Sequence, residues 1–95
     1  MYEINFEFDP AKATRNKAKH GVSFDLAVRV FFDPYRIETH DQSHDYGEDR
    51  WATMGMVNHA VLYVVYTVRD GDTIRLISAR KANEKERKQY DQAHA

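Results

Sequence analysis

Hydrophobic positions recur along this chain with two spacings. The opening residues alternate, with Ile4, Phe6 and Phe8 on one side, which predicts a short strand. Residues 24–31 instead place apolar side chains at i, i+3, i+4 and i+7, as in a helix that buries one face. The run 61–66 is apolar on both sides and is typical of a central strand covered on both faces. The chain therefore mixes helices with a sheet.

Turn and capping residues predict a helical hairpin after the first strand. Asp9 can accept hydrogen bonds from the free N–H groups of a first helix, and Pro10 at its first position needs no donor. That helix should run to about residue 20, with Gly21 in the left-handed closing conformation. Ser23 caps a second helix, which should stop at residue 32 because Pro34 disfavours a helical residue before it.

The rest of the chain predicts a meander and a last helix. Strands are expected at 36–39, 50–57, 60–68 and 73–79. Asn58–His59 and Asp70–Gly71 supply two of the turns. Asn83 with Glu86 resembles a capping box, and Tyr90 is the main apolar anchor of the helix that follows. The expected fold class is α+β, with an N-terminal strand and a helical hairpin packed on an antiparallel meander sheet, in a single domain spanning 1–95.

Composition narrows the function classes. The chain has no cysteine, which excludes disulfides and thiol chemistry, and no apolar run long enough to span a bilayer. The opening residues do not resemble a signal peptide, so we expect a soluble cytoplasmic protein without a membrane partner. The net charge of −1 hides two basic blocks, at 12–19 and 75–90, that flank an acidic block at 33–49. Basic blocks of this kind favour a phosphate-bearing partner.

Arginines on the last two predicted strands are the best candidates for chemistry. Arg69 ends one strand, Arg75 lies within the next, and Arg80 ends it, so a rigid ladder can fix their backbones while their side chains reach a phosphate. The alternative is that they solvate a sheet face or pair with carboxylates. The four glycines form no phosphate-binding loop, and no serine has a triad setting, which argues against nucleotide hydrolysis and acyl transfer.

Histidines and aromatic residues offer weaker candidates. His20 either caps the first helix or serves as a general acid or base. Tyr90 could donate to a phosphate or stack on a base, whereas core packing is expected for Tyr63 and Trp51. One further group has metal-ligand residue types, and it reads either as a zinc site or as a solvated acidic loop that contacts a partner: His40, Asp41, His44 and Asp45.

Two motif blocks lie in the N-terminal and C-terminal halves of the chain. The N-terminal block comprises FEFDPAK, Asn16, KHGVSF at 19–24, Ala27 and FFDP at 31–34. The C-terminal block comprises VVYTVR at 64–69, IRLISARKA at 74–82, Glu86 and Tyr90. Together these blocks resemble the BrnT family of ribonuclease toxins of bacterial type II toxin–antitoxin systems, and the resemblance spans nearly the whole chain. Phe8 departs from it, since the family's opening motif usually has tryptophan there, and the loop 40–49 carries no motif that matches the family.

The resemblance implies a RelE-like fold and RNA cleavage without a metal or other cofactor. It also implies a cognate BrnA-like antitoxin in a hetero-oligomer, with operator DNA contacted only through the antitoxin. In such cleavage the RNA's own 2′-hydroxyl attacks the adjacent phosphate, so no protein nucleophile is needed. The expected catalytic residues are Arg80, Arg69, Arg75, His20 and Tyr90, and the expected RNA-binding residues are Lys12, Lys19 and Lys81.

Two rival functions stay open at the level of the sequence. A non-catalytic module could use the basic C-terminal helix to bind a protein or nucleic acid, because residues 83–95 have little apolar content. A metal-dependent nuclease could use His40 and His44. The rivals predict different results with RNA: the module leaves it intact, and the metal nuclease fails in EDTA.

Overall fold

A computed structural model describes residues 4–41 and 49–93, the side chains of residues 40 and 41 excepted, and these residues form five strands, three α-helices and one 3₁₀ helix. In chain order the elements are β1 (Asn5–Glu7), α1 (Pro10–His20), α2 (Phe24–Val28), a 3₁₀ helix (Arg29–Phe32), β2 (Ile37–Asp41), β3 (Arg50–Val57), β4 (Ala60–Arg69), β5 (Thr73–Lys81) and α3 (Glu84–Gln92). The α+β class expected from the sequence is confirmed.

The strands form one sheet in the order β1-β5-β4-β3-β2. Strands β2 to β5 are antiparallel neighbours, as the meander prediction requires. Strand β1 instead pairs with β5 in parallel, from Asn5 opposite Thr73 to Glu7 opposite Arg75, so the sheet is mixed. The expected two-residue turn is present, because Asn58 and His59 both have positive φ angles between β3 and β4.

The predicted caps form. The Asp9 side chain accepts from the Ala11 N–H at 2.9 Å, and Gly21 ends α1 with a φ of 72°. The Ser23 hydroxyl accepts from the Leu26 N–H, and Asn83 forms the capping box of α3. The second helix tightens into a 3₁₀ helix from residue 29 and ends before the Asp33–Pro34 pair, as predicted.

The main core lies on the sheet face covered by α1, α2 and the 3₁₀ helix, which we call the hairpin face. It contains Val22, Phe24, Ala27 and Val30 from the helical side and Val57, Leu62, Val64, Tyr66, Leu76 and Ala79 from the sheet. The 3₁₀ helix comes so close to β3 that a Cβ on Gly55 would lie 2.8 Å from the Val30 Cγ1. Glycine is therefore required at that crossing.

Helix α3 packs on the opposite face and closes a smaller cluster of Met54, Val61 and Tyr90. The Tyr90 side chain is buried, and its hydroxyl donates to the Asp33 Oδ2, which also accepts from the Met56 N–H. The expectation that Tyr90 anchors α3 is confirmed. None of the helices in the described part of the chain is long and apolar enough to cross a membrane.

Asn16 joins α1 to the exposed edge of β5. Its side-chain amide donates to the Ala79 carbonyl at 2.8 Å and to the Val22 carbonyl at 3.0 Å, while its Oδ1 accepts from the Ala79 N–H at 3.1 Å. Strand β1 pairs with β5 only as far as Arg75. The buried amide thus replaces a neighbouring strand where the ladder has ended, and it places α1 beside the residue that precedes Arg80.

Candidate functional site

Three arginines share the sheet face opposite the helical hairpin, which we call the arginine face. Arg69 is on β4, whereas Arg75 pairs with Thr67 of β4 and Arg80 with Tyr63 of β4. Residues 63, 67 and 69 of β4 are an even number of positions apart, so the three arginines lie on one face of the sheet. Arg75 and Arg80 are five residues apart and would point to opposite faces of a regular strand. The register shifts between Val65 and Tyr66, where β5 contains one extra residue, and this bulge brings both arginines to one side.

Arg80 is held by two side chains. Its two terminal nitrogens donate to the two carboxylate oxygens of Glu86 at 2.7 and 2.9 Å, and its guanidinium carbon lies 4.2 Å from the centre of the Tyr63 ring. The hydrogen bonds that Arg80 donates to Glu86 raise the pKa of Arg80 and lower the pKa of Glu86. Both groups are therefore charged at neutral pH, and the cation has a fixed orientation.

Glu7 of β1 holds the other end of the arginine face. Its Oε1 accepts from the Arg75 guanidinium at 3.2 Å and lies 3.9 Å from the Arg69 Nε. The carboxylates Glu7 and Glu86 thus orient all three arginines. Sequence reasoning assigned Glu86 only to the helix cap and gave Glu7 no role, because Glu7 and Arg75 are 68 residues apart and only the fold joins them.

The basic side chains predicted to bind RNA lie on α1 and at the end of β5, and not among the three arginines. Lys81 ends β5 and is exposed, and Lys12 and Lys19 are exposed on α1. His20 is half-buried at the end of α1, one helical turn beyond Asn16 on the same side of the helix. The contacts of Asn16 with Ala79 therefore place the C-terminal half of α1 next to the strand that carries Arg80.

Tyr90 is occupied by its anchoring role. Burial and the hydrogen bond to Asp33 raise the pKa of Tyr90 to about 12. A hydroxyl with such a pKa keeps its proton at neutral pH, and in this structure it donates a hydrogen bond to Asp33. Its role in proton transfer stays a prediction.

A second polar group lies on the hairpin face and was missed by the sequence reasoning. The Tyr66 hydroxyl donates to Glu38, Arg36 pairs with Glu38, and the Arg36 guanidinium carbon lies 5.5 Å from the Phe31 ring centre. Burial is the larger cause and the hydrogen bond to Glu38 the smaller one of a raised pKa of Tyr66. The core role expected for Trp51 is wrong, because this side chain is 36% exposed and lies opposite Tyr66 at the end of the sheet.

Two other sequence features have different outcomes. Phe8, the one motif position at which the sequence departs from the expected pattern, packs edge-on against Phe24 with 5.4 Å between ring centres, so it contributes to the core. The predicted metal-binding group of His40, Asp41, His44 and Asp45 lies outside the described side chains. Among the residues whose side chains are described, no three histidine or carboxylate groups come together as metal ligands.

Comparisons with known proteins agree on one family. The family model described as "Ribonuclease toxin, BrnT, of type II toxin-antitoxin system" matches residues 8–86. The crystal structure of the Brucella abortus ribonuclease toxin BrnT superposes with a TM-score of 0.65 at 24% identity, covering 86% of this chain and all of that one. The α+β fold expected from the resemblance is thereby confirmed. A comparison with curated protein sequences gave no match. Because the family model covers most of its length, the chain belongs to the BrnT family of ribonuclease toxins of type II toxin–antitoxin systems.

Proposed function

We propose that the protein is a metal-independent endoribonuclease whose arginine face binds and cleaves RNA. The observation that carries the proposal is the bulge in β5, which gathers Arg69, Arg75 and Arg80 on one sheet face beside the basic helix α1. A fixed cluster of cations suits a reaction in which the substrate attacks itself, because such a reaction needs no nucleophile from the protein. Family membership supports ribonuclease activity, and the arginines suggest how it works.

In the proposed reaction the 2′-oxygen of a ribose attacks the adjacent phosphorus while the bond from phosphorus to the 5′-oxygen breaks. The products are a 2′,3′-cyclic phosphate and a free 5′-hydroxyl. One group must take the 2′-hydroxyl proton, and another must give a proton to the leaving 5′-oxygen. His20 and Tyr90 are the candidates for these transfers. The arginines stabilise the negative charge that develops on the phosphorane oxygens.

Arg80 is the first candidate for that electrostatic role. Its guanidinium plane is fixed by Glu86 and Tyr63, while its side chain stays 36% exposed and accessible to a phosphate from solvent. A preorganised cation does not have to be reoriented as charge develops, which is the main source of this kind of stabilisation. Arg75 and Arg69 would bind neighbouring phosphates, and Lys12, Lys19 and Lys81 would hold the backbone on either side.

The wider function follows from the type II toxin–antitoxin family. We propose that RNA cleavage inhibits translation and growth in the cytoplasm until a BrnA-like antitoxin binds the toxin in a hetero-oligomer. Operator DNA would then be contacted by the antitoxin alone, which leaves the basic surface of the toxin for RNA.

The direct experiment incubates antitoxin-free protein with total RNA in the presence and absence of EDTA. Cleavage that survives EDTA and leaves cyclic phosphate ends supports the proposal. Loss of cleavage in EDTA would favour a metal-dependent nuclease, and RNA that is bound but intact would favour a non-catalytic module.

The position of the site is tested by Arg80→Ala, with Arg29→Ala as the matched control on the exposed surface of the 3₁₀ helix. Removing one preorganised donor costs about 10²–10³-fold in rate, and that loss is expected for Arg80→Ala alone. Growth arrest should be relieved while antitoxin binding and the far-UV circular dichroism spectrum stay unchanged. Full toxicity of Arg80→Ala would show that the site lies elsewhere.

A further inference from the structure

The helical hairpin covers only part of its sheet face. Beyond Phe31, whose ring meets Tyr66 edge-on at 5.0 Å, the same face continues as an open groove of about 490 Å³. Its apolar surface comes from Ile4, Trp51, Val68 and Ile74, and we call it the apolar groove. Three of these side chains are large and exposed: Ile4 at 57%, Val68 at 46% and Trp51 at 36%.

The exposed apolar side chains of the groove lie next to one another. On β3, Trp51 lies directly opposite Tyr66 of β4. On β5, Ile74 lies opposite Val68 of β4, so the apolar side chains form neighbouring pairs on one face. A contiguous apolar patch of this kind on a soluble protein marks an interaction surface.

The charges around the groove indicate what binds there. Of the described residues that line it, Glu38 and Asp72 are carboxylates and none is basic. Glu38 is already paired with Arg36, whereas Asp72 forms no ion pair with another described residue. RNA is disfavoured at such a rim, because its phosphates would meet the carboxylate of Asp72, which no described cation neutralises. A protein segment with apolar side chains and a lysine or arginine fits both the groove and its rim.

We propose that the apolar groove is the docking site for a segment of the cognate antitoxin that carries apolar anchors and at least one basic residue. The inference rests on membership of a type II toxin–antitoxin family and not on how RNA is cleaved. It separates the two partners, since RNA would use the arginine face and this antitoxin segment the opposite face. An antitoxin that neutralises the toxin from this groove must reach the arginine face with another segment or bind tightly enough to withdraw the toxin.

The first test is Val68→Glu, which places a carboxylate at the centre of the groove. The matched control is Met56→Glu, because Met56 is 43% exposed on a neighbouring strand but on the opposite face. Affinity for the purified cognate antitoxin should fall roughly tenfold to a hundredfold for Val68→Glu, since an apolar contact is lost and a charge is desolvated. Met56→Glu should bind within about twofold of wild type, as expected for a surface change outside an interface.

A second pair of variants tests the charge at the rim without adding bulk. Asp72→Asn should weaken antitoxin binding and reduce its salt dependence, whereas Asp70→Asn on the same turn, outside the groove lining, should change neither. Asparagine tolerates the φ of 55° found at residue 70, so this control preserves the turn. The pair decides the question if Val68→Glu does not fold.

Growth assays separate this inference from the proposed ribonuclease activity. Val68→Glu should arrest growth as wild type does and should cleave RNA at the wild-type rate, but co-expressed antitoxin should no longer rescue the cells. Equal antitoxin affinity of Val68→Glu and wild type would overturn the proposal, as would equal weakening by Val68→Glu and Met56→Glu. If Val68→Glu changed the oligomeric mass of the toxin in the absence of antitoxin, while antitoxin affinity stayed unchanged, the groove would instead be the docking site of a second copy of the chain. An RNA cleavage assay that fails for the wild-type protein would refute the nuclease proposal and leave the binding result intact.

Discussion

Replacing Asn16 with alanine tests whether one buried amide holds α1 against the sheet. Asn16 is buried, and its side chain makes three hydrogen bonds to the backbone of Val22 and Ala79. The substitution removes all three partners at once. It leaves the N–H and carbonyl of Ala79, a residue with no exposed surface, without the side chain that replaces a neighbouring strand.

The loss in the free energy of unfolding can be calculated from the backbone groups that lose their hydrogen-bond partners. A buried donor or acceptor that loses its partner costs about 1–3 kcal/mol. The Ala79 N–H bears the full penalty, and the two carbonyls bear less because each has a second lone pair. A total of about 3 kcal/mol is expected, a large share of the roughly 5–15 kcal/mol that stabilises a domain. For a domain of this size the melting temperature should fall by roughly 12–24 °C.

The assay is chemical denaturation followed by circular dichroism, with Lys17→Ala as the matched control. Lys17 is the next residue on α1 and is exposed, so its replacement should change the free energy of unfolding by less than about 0.5 kcal/mol. Native-state hydrogen exchange gives an independent readout, because the Ala79 amide should exchange much faster in Asn16→Ala. RNA cleavage should also fall, since Ala79 precedes Arg80 in β5.

The reasoning is refuted if Asn16→Ala unfolds within about 1 kcal/mol of wild type and leaves the protection of the Ala79 amide unchanged. That result would mean that water or a shifted strand replaces the amide. The position of α1 would then depend on apolar packing alone.

Three further results are expected. Tyr90→Phe should be less stable than wild type at neutral pH by about 1–2 kcal/mol, because Asp33 loses a hydrogen-bond donor. The folded pKa of Tyr90 is raised to about 12 from an unfolded value near 10, so the wild type loses this stability as the pH rises from 10 to 12. The difference in unfolding free energy between the two proteins, measured by denaturation, should therefore narrow over that range. Arg75→Ala should make the plot of log affinity for single-stranded RNA against log salt concentration shallower by about 0.7, as measured by filter-binding titrations at several salt concentrations. An unchanged slope would mean that Arg75 does not contact the RNA. Gly55→Ala should destabilise the fold by about 1–3 kcal/mol in thermal melts, because the new Cβ would lie 3.0 Å from the Val30 carbonyl oxygen. A melting temperature like that of wild type would show that the 3₁₀ helix moves away without cost.

Local rules account for the parts of the fold that the sequence predicts well. Asp9, Gly21, Ser23 and Asn83 act on backbone groups within a few residues, so their effects can be read without knowing the tertiary structure. The turn at residues 58–59 and the central position of β4 follow in the same way from neighbouring residues and from apolar runs.

The rest depends on contacts between distant segments. Nothing near Asn5 indicates a parallel pairing with Thr73, and nothing near Asn16 indicates that its amide will meet Ala79. The bulge in β5 has no glycine to mark it, although it decides that Arg75 and Arg80 share a face. The arginines themselves were predicted as candidates from their strand positions, but the carboxylates that orient them were not.

The parallel pairing of β1 with β5 also determines the order in which the protein can be assembled. During synthesis β1 emerges first, yet its strand partner lies near the other end of the chain. Pairing of segments so far apart closes a long loop and is a slow step in folding. Glu7, which orients Arg75 and Arg69, therefore reaches them only after β5 has left the ribosome. The complete arginine face therefore forms late in folding, only once β5 has joined β1 in the sheet.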